Sequence, residues 1–123
     1  MGKYEVTIKE KVGTCDSSLF EKMAKKGDLS ATKVIDIIGA EVSIKGYAVC
    51  EITTAEKTFV MYYYDTDEYG MISAGSEIFF ESVKDYFGEV DSVIIKDVKT
   101  KKGKTYKAVP MLKRTNQETK TEE

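Results

Sequence analysis

The stretch VIDIIGAEVSIKGYAVCEITT, residues 34–54, decides the fold class. From Val42 onward it alternates. Val42, Ile44, Gly46, Ala48, Cys50 and Ile52 fall on one side; Ser43, Lys45, Tyr47, Val49, Glu51 and Thr53 fall on the other. A period of two is the pattern of a half-buried strand. The whole stretch therefore predicts one long strand, with Gly39 and Gly46 where a strongly curved strand bends or bulges. Cys50 is then an inward, small core residue. Tyr47 sits on the polar face beside Lys45 and Val49.

Downstream, residues 57–64 predict a second strand, apolar on both sides. Val60, Tyr62 and Tyr64 face one way, and Phe59, Met61 and Tyr63 the other. Asp65 to Glu68 reads as a turn, and residues 69–74 as a short third strand. Ser76 can cap a helix over residues 77–87, with Phe79, Val83, Tyr86 and Phe87 on one stripe and Gly88 as its stop. Residues 92–98 and 105–112 predict the fourth and fifth strands, joined by a loop around Gly103, with Pro110 near the end.

Upstream, residues 3–12 are Lys-rich and mixed in polarity, an arm or an edge strand. Asp16 or Ser17 can cap a short helix over residues 18–26, carrying Leu19, Phe20 and Met23, with Gly27 as its stop. A helix this short must dock on something to persist. Residues 115–123 hold no apolar side chain and are expected to be disordered.

The order of elements is three strands, a helix and two strands. A long, Gly-bent first strand with that order predicts a mainly β fold. It suits an OB-fold, a five-stranded Greek-key barrel with one helix between strands three and four, here preceded by a short N-terminal helical segment. The expected organisation is an arm and helix in 1–30, the barrel in 31–114 and an acidic tail in 115–123.

Composition narrows the function. The 123 residues amount to one domain, with 41% apolar and 33% charged side chains. No apolar run is long enough to span a membrane. Residues 1–11 lack the apolar core of a signal peptide. Cys15 and Cys50 lack metal-ligand spacing and read as free thiols of a reducing compartment, so a cytoplasmic protein is expected. There is no histidine, which removes the usual base or ligand of hydrolase triads and zinc sites. Nothing pairs the carboxylates for catalysis, so the expected protein is no enzyme and needs no cofactor.

The net charge of −2 hides an asymmetry. Residues 41–91 carry −8, whereas residues 92–114 carry +7. Six lysines, Lys96, Lys99, Lys101, Lys102, Lys104 and Lys107, crowd one predicted hairpin. Such a cluster would neutralise a phosphate backbone and release its counterions. The plain alternative is a solvated hairpin that shields a sheet edge. Aromatic rings beside lysines suit single strands, because bases stack on the rings while lysines track phosphates. The candidates are Tyr47, Tyr62, Tyr64 and Tyr106, with Lys45 and Lys57 adding charge; the alternative is that these tyrosines fill the core. Asp65, Asp67 and Gly70 fall at positions 1, 3 and 6 of a calcium loop, but Tyr69 and Ser76 stand at positions 5 and 12, where ligands are needed. A turn is the better reading, and no metal site is expected.

Several runs together resemble a known family: residues 33–39, residues 44–48, residues 59–70, the helix 76–88 and the Lys-Gly-Lys hairpin. Across residues 17–112 they resemble the small OB-fold single-stranded DNA-binding proteins of phages and conjugative plasmids of Gram-positive bacteria. The resemblance implies sequence-independent binding of single-stranded DNA in replication or conjugative transfer, no catalysis, and self-association along the strand; single-stranded RNA is a further expected partner. Under it Phe20 and Met23 would either link neighbouring protomers or cap their own barrel. The short tail lacks the aromatic tip by which housekeeping single-strand binders recruit replication enzymes. The rival expectation is a protein-interaction module of a phage or plasmid that binds no nucleic acid.

Overall fold

The computed structural model describes residues 5–26, 31–101 and 103–111. The expected tail and Lys102 lie outside them. The fold is mainly β, with two α-helices and two sheets. Strand β1 spans Glu5–Gly13, helix α1 Ser18–Lys26, β2 Thr32–Lys33, β3 Glu41–Val42, β4 Ile44–Thr53, β5 Thr58–Thr66, β6 Gly70–Ala74, helix α2 Glu77–Tyr86, β7 Ser92–Thr100 and β8 Gly103–Met111. A 3-10 turn covers Val34–Ile37.

One sheet runs β1-β4-β5-β6-β2, the other β3-β7-β8. Only Ser43 separates β3 from β4, so one length of chain passes from one sheet to the other. The expected long strand thus begins later than predicted. Residues 34–37 coil instead, and Gly39 turns at φ +100. The Gly39 amide donates to the Ile95 carbonyl at 2.6 Å, and the Ile95 amide to that of Ala40 at 3.0 Å. These bonds bring the chain alongside β7 before β3 starts.

The strands form these two sheets and no closed barrel, and among the described residues no ladder joins β6 to β8. Both edges already have partners. Thr32 and Lys33 pair in parallel with Ile72 and Ser73 of β6. On β8, the Ala108 amide donates to Ser82 Oγ of α2 at 2.8 Å. A helix hydroxyl takes the bond that a closing strand would have taken.

Both faces of the five-stranded sheet are covered. On one, Tyr47, Tyr64, Ile72 and Ala74 pack with Phe79, Phe80 and Val83 of α2 and with Val93, Ile95 and Ala108. On the other, Ala48, Cys50, Ile52 and Tyr63 pack with Cys15 and with Phe20 and Ala24 of α1. β1 takes the edge-strand option and pairs with β4 along its length. α2 begins as the sequence predicts: Ser76 Oγ accepts from the Phe79 amide at 3.1 Å.

The register explains where the residues of β4 point. A shift between Ile44 and Gly46 reverses the alternation, as one extra residue does. Val42 and Ile44 therefore share the main core with Tyr47, while Ala48, Cys50 and Ile52 face α1. Gly46 permits the close approach behind this bulge. A Cβ there would lie 2.6 Å from the Thr14 nitrogen and 2.7 Å from the Val12 oxygen.

Candidate nucleic-acid interface

β7 and β8 form a two-residue hairpin. The Thr100 hydroxyl donates to the Gly103 carbonyl at 2.8 Å, and Gly103 adopts φ +135. Register partners share a face, and two faces result. Ile95 and Ala108 are core; beyond them, on the same face, come Asp97 opposite Tyr106 and then Lys99 opposite Lys104. The other face carries Lys96 opposite Lys107 and Val98 opposite Thr105. All five of these lysines, counting Lys101 in the turn, are exposed. Among the described residues none of them joins an ion pair.

Tyr106 is half-buried. Its ring packs on Phe79 at 5.5 Å between centroids, and burial raises its hydroxyl above the ordinary value. The ring also lines two adjoining hollows in the gap between β6 and β8. One, of about 430 Å³, is walled by Ile35, Ile38, Ser76, Asp97, Lys104 and Thr105. The other, of about 180 Å³, reaches Lys33, Met61, Ser73 and Gly75. Ile35 and Ile38 are exposed at 59% and 40%. Met61 shares its side of β5 with Phe59, over whose ring Lys57 Nζ stands at 5.3 Å. Lys33 and Lys104 thus stand at the two hollows, while Phe59 and Met61 are partly buried against the cluster beneath α1.

Other predicted site residues lie elsewhere. Tyr47 and Tyr64 are corrected from stacking platforms to core residues. The bulge at Ile44 turns Tyr47 inward, edge-on to Phe80 and Phe87 at 5.5 and 5.1 Å. Tyr64 is fully buried against Phe79. Tyr62 stacks on Phe80 at 4.4 Å; burial and the Glu77 and Glu81 carboxylates raise its hydroxyl above the ordinary value. One of its ring faces is therefore taken, in acidic surroundings unsuited to phosphate. Lys107 borders a hollow with Glu77, Glu81 and Asp85. Lys45 pairs with Asp67 at 3.5 Å, far along the fold from the hairpin. Phe20 is corrected from a protomer link to a buried contact on its own sheet, because the apolar outer face of β5 needs a cover, and Met23 packs beside it only partly buried.

The acidic turn is structural. Glu68 accepts from the Ser43 amide at 2.7 Å and hydroxyl at 2.9 Å. Burial raises its carboxyl, but the Ser43 bonds and nearby Lys45 outweigh that and hold it below the ordinary value. Thr14 donates to Asp65 at 2.6 Å, and the Thr66 hydroxyl donates to the Gly70 carbonyl at 2.8 Å. Among the described residues no group of His, Cys, Asp and Glu could hold a metal ion, and no helix is long and apolar enough to cross a membrane.

Lys33, Ile35, Ile38, Asp97 and Thr105, which line these hollows, are not singled out as site residues by the sequence. The alternation predicts a strand over Ile35 and Ile38, and the signal against it is Gly39 directly after this apolar run. No known family model, curated protein or solved structure matches this chain.

Proposed function

We propose that this protein binds single-stranded DNA, and also single-stranded RNA, along a surface from Phe59 past Met61 and Lys33 to Tyr106, Lys104 and Lys99, without catalysing a reaction. The observation that carries the reading is Tyr106: a partly exposed ring between Lys99 and Lys104 on one side and Lys33 on the other. A ring for stacking beside cations for phosphates is what a single strand needs. The −8 of residues 41–91 would confine the strand to this side.

The proposal includes an open OB-type barrel, in which β3 with β4, then β5, β6, β7 and β8, are the five strands and α2 follows the third. The order of elements and the passage of one strand between both sheets support it. It also includes action in the replication or transfer of a mobile element, in the cytoplasm, and self-association along the strand. Phe20 is buried, so association would use other surface, such as Leu19 at 65% exposure.

Anisotropy titrations with single-stranded DNA, duplex DNA and single-stranded RNA of equal length test the reading. Tight binding to oligo-dT and weak binding to duplex are expected. No binding to any of them would favour the rival, a protein-interaction module, to which exposed Leu19 also points.

A further inference from the structure

The hollow beside Tyr106 has a polarity that a purely sequence-tolerant binder does not need. Its walls are apolar at Ile35 and Ile38 and aromatic at Tyr106. At 430 Å³ it falls in the size class of small-molecule sites, roughly 300–1,000 Å³. Lys104 lies at its rim, continuous with Lys99 on the hairpin face. Asp97, directly opposite Tyr106, adds a carboxylate that takes no ion pair among the described residues.

A carboxylate repels phosphate and only accepts hydrogen bonds. Within a lysine-bordered groove it therefore orients a strand. The backbone is drawn to Lys104 and Lys99, and a donor-bearing base edge is drawn to Asp97. The four bases differ at that edge. Guanine presents two adjacent donors, N1–H and the N2 amino group, which match the two carboxylate oxygens. Adenine and cytosine each present one amino donor next to a ring acceptor. Thymine presents one N–H between two carbonyl oxygens. Only guanine offers a bidentate match without a facing acceptor.

We propose that this hollow is a guanine-preferring base site. The base lies against Tyr106 between Ile35 and Ile38, with its Watson–Crick edge on Asp97 and its phosphate near Lys104. This deepens the single-strand reading and rests on it, since a duplex occupies that same edge. Elsewhere along the surface binding stays sequence-tolerant.

The test is anisotropy with dT15, d(TTA)5, d(TTG)5 and d(TTI)5, where inosine lacks the N2 amino group. d(TTG)5 should bind about tenfold more tightly than dT15, as expected for one bidentate base contact, with d(TTI)5 between them. Asp97→Asn should reduce the guanine preference, read as the ratio of d(TTG)5 to dT15 affinity in the same variant, to under about twofold. Its melting temperature should match the wild type, because Asp97 is exposed. If dT15 binds and d(TTG)5 binds no better, the base site is wrong and the single-strand reading stands. If the preference survives in Asp97→Asn, the assignment of Asp97 is wrong. If none of the four binds, both readings fall.

Discussion

Phe20 of α1 meets Tyr63 of β5 edge to face, with ring centroids 6.4 Å apart and planes at 68°. This contact joins the N-terminal segment to the centre of the larger sheet. It also decides which aromatic side chains of β5 are available to a ligand, because Tyr63 is spent beneath α1.

Phe20→Ala should therefore behave as a core truncation. Phe20 is 3% exposed, and emptying such a site costs about 3–5 kcal/mol. A urea titration should show the midpoint fall accordingly. A loss below about 1 kcal/mol, with a smaller oligomer by light scattering, would instead place Phe20 at an interface between copies.

Tyr64→Phe should leave stability unchanged or raise it by about 1 kcal/mol. The Tyr64 hydroxyl is buried and has no hydrogen-bond partner among the described residues, so its removal relieves a desolvated donor. Burial pushes this hydroxyl well above the ordinary tyrosine value. Binding to oligo-dT should not change. A large loss of binding in a variant of normal stability would return Tyr64 to the interface.

Gly46→Ala should be strongly destabilising, by about 3 kcal/mol. The Cβ would meet backbone atoms of Val12, Thr14 and Cys15 at 2.6–2.7 Å, and backbone cannot swing aside. A melting curve like that of the wild type would show that β1 and the β4 bulge separate more easily than this packing implies.

Much of this was legible in residue order. The Ser76 cap, α1 over residues 18–26 and the paired apolar strands follow from spacing alone. The bulge at Ile44 was not legible: a period of two carries no mark where one residue is added, and the slip exchanges Tyr47 between faces. The open β6–β8 edge was hidden for a different reason. It depends on Ser82 and on Thr32–Lys33 reaching strands remote in sequence. The lysine hairpin was visible as charge, but its two faces appear only once Asp97 and Tyr106 are in register.

Stability should fall at alkaline pH. Burial pushes the Cys15 thiol up to about 12 and the Cys50 thiol to about 11, from an ordinary 9.0. Between pH 9 and those values the folded chain keeps protons that the unfolded chain has released. The stabilisation is thus complete below pH 9 and lost as pH rises through 11 to 12. Denaturation midpoints across that range should fall, less so in Cys50→Ala, and native thiols should resist alkylation at about pH 8. Rapid labelling of both thiols in folded protein would contradict this burial.

The salt dependence of oligo-dT affinity tests the central claim most directly. If Lys33, Lys57, Lys99, Lys101 and Lys104 each neutralise a phosphate, log affinity should fall against log salt with a slope of about −3.5. In Lys99→Glu/Lys101→Glu/Lys104→Glu the slope should flatten to about −1.4 or less and affinity should drop steeply. Lys96→Glu/Lys107→Glu, on the opposite face, should keep most of both. A flat wild-type response, or equal losses from the two variants, would contradict a strand bound along the Tyr106 face.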